Sequence, residues 1–185
     1  MQSALKPLHH SEDLIQQTAK WYTCHWYALY VRSRHEKFVC DALTKKSIET
    51  YLPLREITRN WSDRKKIIHE PLFSSYVFVN LAIKDRWDIL NTKGVVRFVG
   101  PSAARPVEVC EEDLAAIKKF LHEKVQLDPF PYLKEGQRVY VKSGPFKGTE
   151  GFIVRKDEHC RLVLSLDVLM QSVSIQIDQS CIEML

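Results

Sequence analysis

The sequence predicts an α+β protein of two domains, in which an N-terminal α/β sandwich on a mainly antiparallel sheet precedes a small closed β-barrel. Three observations carry this reading. Up to Lys124, apolar runs of strand length alternate with short amphipathic helices, the pattern of helices laid on a sheet. Pro129 and Pro131 then stiffen a stretch with no period. From Lys134 onward the texture changes to short alternating strands separated by turn residues, the mark of a barrel. The expected boundaries are an extension over 1–21, a first domain over 22–124, a linker over 125–133 and a second domain over 134–185.

Residues 1–20 lack a convincing period. Trp26-Tyr-Ala-Leu-Tyr-Val31 is aromatic and β-branched and reads as the first strand. His35 to Ser47 places Phe38, Val39, Ala42 and Leu43 on one helical face. Glu49 to Leu54 is a second strand, with Pro53 marking an edge or an end. Arg55–Glu70 is polar and charged, with Asn60, Ser62 and Asp63 at its middle, and is expected to project as a hairpin. Ser75-Tyr-Val-Phe-Val79 is nearly all apolar, so a central strand is expected.

Asp85 to Thr92 reads as a short helix packing Trp87 and Leu90, stopped at Gly94. Val95-Val-Arg-Phe-Val99 is a fourth strand. Glu111 to Lys124 is an amphipathic helix with an acidic first turn and a buried stripe of Leu114, Ile117 and Leu121. Beyond the linker, strands are expected at 138–142, 151–154, 161–166 and 173–177, closed into a barrel so that no edge is free.

Charge narrows the function classes. The formal net charge of +4 and the pI near 8.7 fall short of the pI above ~9 that marks a nucleic-acid binder from bulk charge. Residues 134–185 carry seven basic and seven acidic side chains, whereas residues 32–66 carry ten basic and five acidic ones. A polyanion would therefore meet the first domain. The five cysteines, Cys24, Cys40, Cys110, Cys160 and Cys181, follow no disulfide or zinc spacing and read as reduced thiols. No apolar run approaches a membrane span, and Pro7, His9, His10, Glu12 and Asp13 stand where a signal peptide would be apolar. A cytoplasmic, monomeric protein with no membrane association is expected. Asp13, Asp41, Asp63, His69 and His159 form no nucleophile–base or metal pattern, so neither catalysis, nor a cofactor, nor a metal is expected.

Two motifs stand out. Gly144-Pro-Phe-Lys-Gly148-Thr-Glu-Gly151 is turn chemistry, without the ending of a phosphate loop. In Glu70-Pro-Leu-Phe-Ser-Ser-Tyr-Val-Phe-Val79, alternation sends Tyr76 and Phe78 to one sheet face and Val77 and Val79 to the other. Either the aromatic face is an exposed protein-binding patch, or both faces are core.

With Glu135-Gly136-Gln-Arg-Val-Tyr-Val before it, the glycine-rich turn resembles the KOW motif of SH3-like barrels in transcription and ribosomal proteins, which implies an SH3-like KOW β-barrel for the second domain. The strand Pro71 to Val79 resembles the signature strand of NusG N-terminal (NGN) domains. It is closest to the Pro-Leu-Phe-Pro-Asn-Tyr-Leu-Phe-Val form of RfaH-like paralogues, with Ser74 and Ser75 replacing the proline and the asparagine. Trp26-Tyr-Ala-Leu, Gly94-Val-Val-Arg-Phe-Val99 and the Pro106 to Leu121 region also resemble NusG elements, in the same order. Trp61-Ser-Asp-Arg-Lys-Lys66 resembles the specialised UpxY type.

The resemblance covers residues 22–185. It implies a transcription elongation regulator that binds RNA polymerase and suppresses pausing and termination on particular long operons, such as those for surface polysaccharides. By the same resemblance the clamp helices of the largest subunit would meet Leu72, Phe73, Tyr76 and Phe78, with Val95 and Phe98 either neighbours or core. In the RfaH-like branch the surface around the first strand–helix junction reads a flipped or single-stranded stretch of non-template DNA, and the resemblance places Arg32, Ser33, Arg34 and His35 there, with upstream DNA left to the hairpin. The hairpin cations Arg55, Arg59, Arg64, Lys65 and Lys66, with Trp61, either touch DNA or are solvated. The turn holding Val168, Leu169 and Met170 corresponds to the family's contact with ribosomal protein NusE or termination factor Rho. These aliphatics equally suit the closing of the barrel. The alternative function, a KOW protein binding RNA or the ribosome without a polymerase role, would place the basic residues on the barrel, which is neutral.

Overall fold

The computed structural model describes residues 21–60, 65–102, 105–123, 127–133, 136–156 and 159–185. The first sheet contains β1 (Cys24–Val31), β2 (Glu49–Tyr51), β5 (Tyr76–Ala82) and β6 (Val95–Phe98), in the order β2-β5-β1-β6 and antiparallel throughout. β5 is central, as its apolar run predicts, and β1 lies beside it as the second inner strand. Register places Ala28 opposite Phe78 and Tyr30 opposite Tyr76, so residues at even positions of the two strands share a face.

Helix α1 (Glu36–Thr44) and helix α2 (Arg86–Leu90) accompany the odd face. There Tyr27, Leu29, Val31, Val77, Val79 and Leu81 bury against Val39, Leu43 and Ile89. Gly94 closes the turn between α2 and β6 at φ 97°, and a Cβ there would stand 2.9 Å from Val39 Cγ2. The turn therefore requires glycine both for its dihedral and for the approach of α1. Two side chains depart from the sequence expectation. Phe38 is 50% exposed and Trp87 is 57% exposed; Ile89 takes the buried place on α2. The Arg86 guanidinium lies over the rings of Trp21 and Trp87, at 4.9 and 5.1 Å, so the start of the described chain is held to α2 by cation–π contact.

Strands β3 (Leu54–Asn60) and β4 (Lys65–Pro71) form the expected projecting hairpin as a separate two-stranded ladder. Helix α3 (Glu111–His122) lies on the even face and buries Leu114, Ile117 and Phe120. Leu121 is only half-buried, because Phe120 rather than Leu121 completes the apolar stripe.

The second sheet runs β12-β8-β9-β10-β11-β7, from β7 (Asp128–Phe130), β8 (Gln137–Val141), β9 (Glu150–Lys156), β10 (His159–Leu166), β11 (Gln171–Ile177) and β12 (Ile182–Met184). The stretch expected to be an irregular linker contributes β7, which pairs with β11. The expected closure is not seen as pairing, since β12 and β7 are the ends of the hydrogen-bonded order among the described residues. Val139, Val141, Leu162, Leu164, Leu166, Val173 and Ile175 fill its core.

That core is continuous with the even face of the first sheet. Phe120 of α3 meets Phe146, in the turn between β8 and β9, edge to face at 4.9 Å. Lys119 Nζ donates to the Lys147 carbonyl at 2.7 Å. An open groove of about 1190 Å³ runs between α3 and the second sheet.

Candidate functional site

The even face of the first sheet carries a row of aromatics. Tyr51 stacks near Phe78 with ring centroids 6.2 Å apart, and Phe73 meets Phe78 edge-on at 6.1 Å. Leu72, Phe73 and Phe78 are buried, Phe78 completely, in the cluster that includes α3 and the second sheet. The expectation of an exposed patch is corrected for these three side chains. Helix α3 and the barrel cover the face that alternation alone left open, and the core alternative holds there. Phe98 is likewise core, packed edge-on against Tyr27, while Val95 is half-buried.

Tyr76 remains half-exposed. It meets Tyr30 edge-on at 5.6 Å, and Tyr30 is 37% exposed with the Arg97 guanidinium 5.5 Å above its ring. Tyr30 belongs to no motif that the sequence singles out, and its half-open place at the strand end comes from the pairing of β1 with β5. Deeper on the same face, the Lys118 ammonium lies 5.0 Å from the rings of both Trp26 and Tyr51. The Tyr51 hydroxyl is buried with no hydrogen-bond partner, and burial pushes its pKa well above the ordinary tyrosine value.

Beside Tyr30, the chain leaves β1 through a tight junction. Arg32 N donates to the Gly94 carbonyl at 2.9 Å, His35 N donates to the Arg32 carbonyl at 3.0 Å, and Arg34 adopts φ 63°. This geometry leaves Arg32, Ser33 and Arg34 exposed and His35 half-exposed. His35 Nδ1 lies 3.0 Å from the Ser33 carbonyl, which can only accept, so Nδ1 carries the proton in that bond. Glu36, buried at the start of α1, accepts the Ser75 N–H at 2.7 Å, and Ser75 itself sits at φ 67°. A carboxylate at a helix start is favoured by the helix dipole. Here it also ties the basic junction to the loop that carries Leu72 and Phe73.

Lys37 Nζ donates to the His69 carbonyl at 3.0 Å, which joins α1 to the hairpin. The base of the hairpin is thereby anchored to the helix that follows the basic junction. Of the hairpin cations, Lys65 and Lys66 are exposed. Arg59 is paired with Glu70 at 2.6 Å, and Arg55 is half-buried. Trp61 and Arg64 lie outside the described residues.

In the barrel, Leu169 N donates to the Leu166 carbonyl and Met170 N to the Asp167 carbonyl, forming the turn between β10 and β11. Leu169 is buried, Val168 half-buried, and Met170 68% exposed at φ 51°. The three candidates therefore divide into one core residue, one bordering residue and one outward tip. Facing this turn, Asp113 of α3 has its carboxyl raised to about 6 by burial, then by the charges of Asp167 and Glu112.

Among the described residues, no group of three or more His, Cys, Asp or Glu side chains is placed to hold a metal ion. No helix among them is long and apolar enough to cross a membrane.

Residues 24–118 match the family model described as NusG, transcription termination factor nusG. The chain is 24% identical over 178 residues to the transcription termination/antitermination protein NusG of Borreliella burgdorferi, covering 85% of this chain and 97% of that one. It is 27% identical over 175 residues to the protein of that name from Staphylococcus aureus strain Mu50, covering 90% and 96%. A solved structure described as domain interaction in Thermotoga maritima NusG superposes with a TM-score of 0.55 at 21% identity, over 87% of this chain and 97% of that chain. The antiparallel first sheet between its helices lies within a match that spans more than half of the residues, and the chain belongs to the NusG family of transcription termination and antitermination proteins.

Proposed function

We propose that this protein regulates transcription elongation by docking on RNA polymerase through the aromatic edge formed by Tyr30 and Tyr76, while the adjacent basic junction touches upstream or non-template DNA. The observation that carries the reading is adjacency. Tyr30 and Arg32 leave the same strand end two residues apart, so an outward aromatic pair and a cationic loop form one continuous surface. Tyrosine and arginine are the side chains that most often dominate protein interfaces. Leu72, Phe73 and Phe78 would act beneath this edge as its rigid support. Arg32, Arg34, His35, Lys65 and Lys66 would meet phosphates, and Met170 with Val168 would offer the barrel's own contact to a partner such as NusE or Rho. Suppression of pausing and termination on particular operons follows from holding polymerase and DNA together.

Single-round transcription with purified polymerase on a template with pause and terminator sites tests this reading. The protein should shorten pauses and increase read-through, and Tyr76→Ala with Tyr30→Ala should reduce polymerase co-purification at least about tenfold, as loss of interface aromatics does. Unchanged pausing together with no polymerase binding by the unmodified protein would refute it.

A further inference from the structure

Ser75 stands immediately before Tyr76 in a conformation that serine disfavours. Its φ is 67°, in the left-handed region where a Cβ crowds the backbone. Among the described residues Arg34, Ser47 and Met170 share that region. The N–H groups of Ser47 and Met170 go to the backbone carbonyls of Thr44 and Asp167, inside their own turns. That of Ser75 goes instead to the Glu36 carboxylate at 2.7 Å, 39 residues away in the chain. On its other side the Ser75 carbonyl accepts the Val31 N–H at 2.9 Å. Both backbone groups of Ser75 are therefore held from outside its own loop.

Glu36 is only 6% exposed. A carboxylate taken out of water needs donors in place of its hydration, so its bond to an N–H is strong. The bond ends one residue from Tyr76, which lies opposite Tyr30 in the ladder and meets it edge-on at 5.6 Å. The loop's own closing bond, from Tyr76 N to the Phe73 carbonyl, is long at 3.3 Å. Where β5 begins, and how Tyr76 leaves it, is thus set mainly at Ser75.

We propose that Glu36 is a positioning residue for the docking edge: through the Ser75 N–H it holds the left-handed turn that aims Tyr76 beside Tyr30. The proposal rests on the reading of that edge as the polymerase contact and adds a buried residue that acts on it from behind. A carboxylate serving only the dipole of α1 would not depend on which residue occupies position 75. A brace for disfavoured backbone would depend on it, because glycine adopts positive φ freely and needs no brace.

The test is the affinity of the full chain for purified core RNA polymerase, read by biolayer interferometry. Glu36→Leu removes the acceptor at similar size and should weaken binding about tenfold, the weight of a hydrogen bond to a charged group. Glu36→Gln keeps a neutral acceptor oxygen and should lose about threefold. Adding Ser75→Gly to either variant should restore the affinity of the unmodified protein. If Tyr76→Ala with Tyr30→Ala weakens binding and Glu36→Leu does not, the positioning role fails while the docking edge stands. If the unmodified protein does not bind, or the double tyrosine variant binds equally well, the docking edge fails and the positioning role with it. A Glu36→Leu loss that persists after Ser75→Gly, in protein that circular dichroism shows to be folded, also overturns the positioning role. Should Glu36→Leu not fold, Glu36→Gln with and without Ser75→Gly decides by the same comparison.

Discussion

Phe78 and Tyr30 lie on one sheet face, one strand apart, and have opposite fates. Phe78 packs between Tyr51 and Phe73, whereas Tyr30 reaches the rim beside Tyr76 and Arg97. Truncating a fully buried phenylalanine loses transfer energy and leaves a cavity, so Phe78→Ala should cost about 3–5 kcal/mol. Tyr30→Ala should stay within about 1 kcal/mol of the unmodified protein, because the ring is already partly hydrated. Urea denaturation of the two variants checks this, and an unchanged midpoint for Phe78→Ala would return that ring to the surface. The distinction determines how binding data are read, because a binding loss in a Phe78 variant has to be compared with its loss of stability.

At the scale of elements, the strands and helices follow local chemistry closely. The glycine-rich turn between β8 and β9 is a case where the reason lies beyond the turn. Gly151 is the second residue of β9, and a Cβ there would stand 2.7 Å from the Val163 backbone carbonyl on β10. Glycine is needed for the close approach of two strands, in addition to any turn dihedral. Gly151→Ala should push β9 from β10 and destabilise the barrel by about 1–3 kcal/mol, the usual range for overpacking. Thermal unfolding followed by circular dichroism would register it, and wild-type stability would contradict the contact. Elements also explain the two misplaced aromatics. A short helix has too few turns for its period to single out the buried stripe, so Phe38 and Trp87 fit an apolar face in sequence and lie outside it in space.

For the whole molecule, the decisive contact joins α3 to the barrel. Phe146 stands in a turn yet is only 6% exposed, packed on Phe120. Asp113 and Asp167 bring like charge to that contact, and the raised carboxyl of Asp113 fixes the sign of a pH effect. Its folded pKa of about 6 lies above the ordinary 3.8, so the packed form holds a proton more tightly than the unfolded chain does. The unfavourable charge is fully present above about pH 6 and is relieved as pH falls towards about 4. Asp113→Asn should therefore melt higher than the unmodified protein near neutral pH and converge with it at the acid end of that window. Differential scanning fluorimetry across the range reads the difference, and parallel curves would remove Asp113 from the contact.

Local chemistry was enough for most of the elements and their order, for the change of texture past the linker and for the segment where positive charge gathers. Each of these depends on residues near one another in the chain. It was not enough for β7 or β12, which form by pairing with β11 and β8. Only the tertiary structure decided which side chains face water. Alternation groups Tyr76 with Phe78 but says nothing of what lies across from them. The packing of α3 and the barrel buried Phe73 and Phe78 and left the edge of Tyr30 and Tyr76 open, while on the other face α1 turned Val39 and Leu43 inward and left Phe38 exposed. The joining of the junction to the hairpin through Lys37 and His69 spans 32 residues and was likewise beyond any local pattern. Burial is set by contacts distant in sequence, and these are fixed when sheets, helices and barrel close on one another.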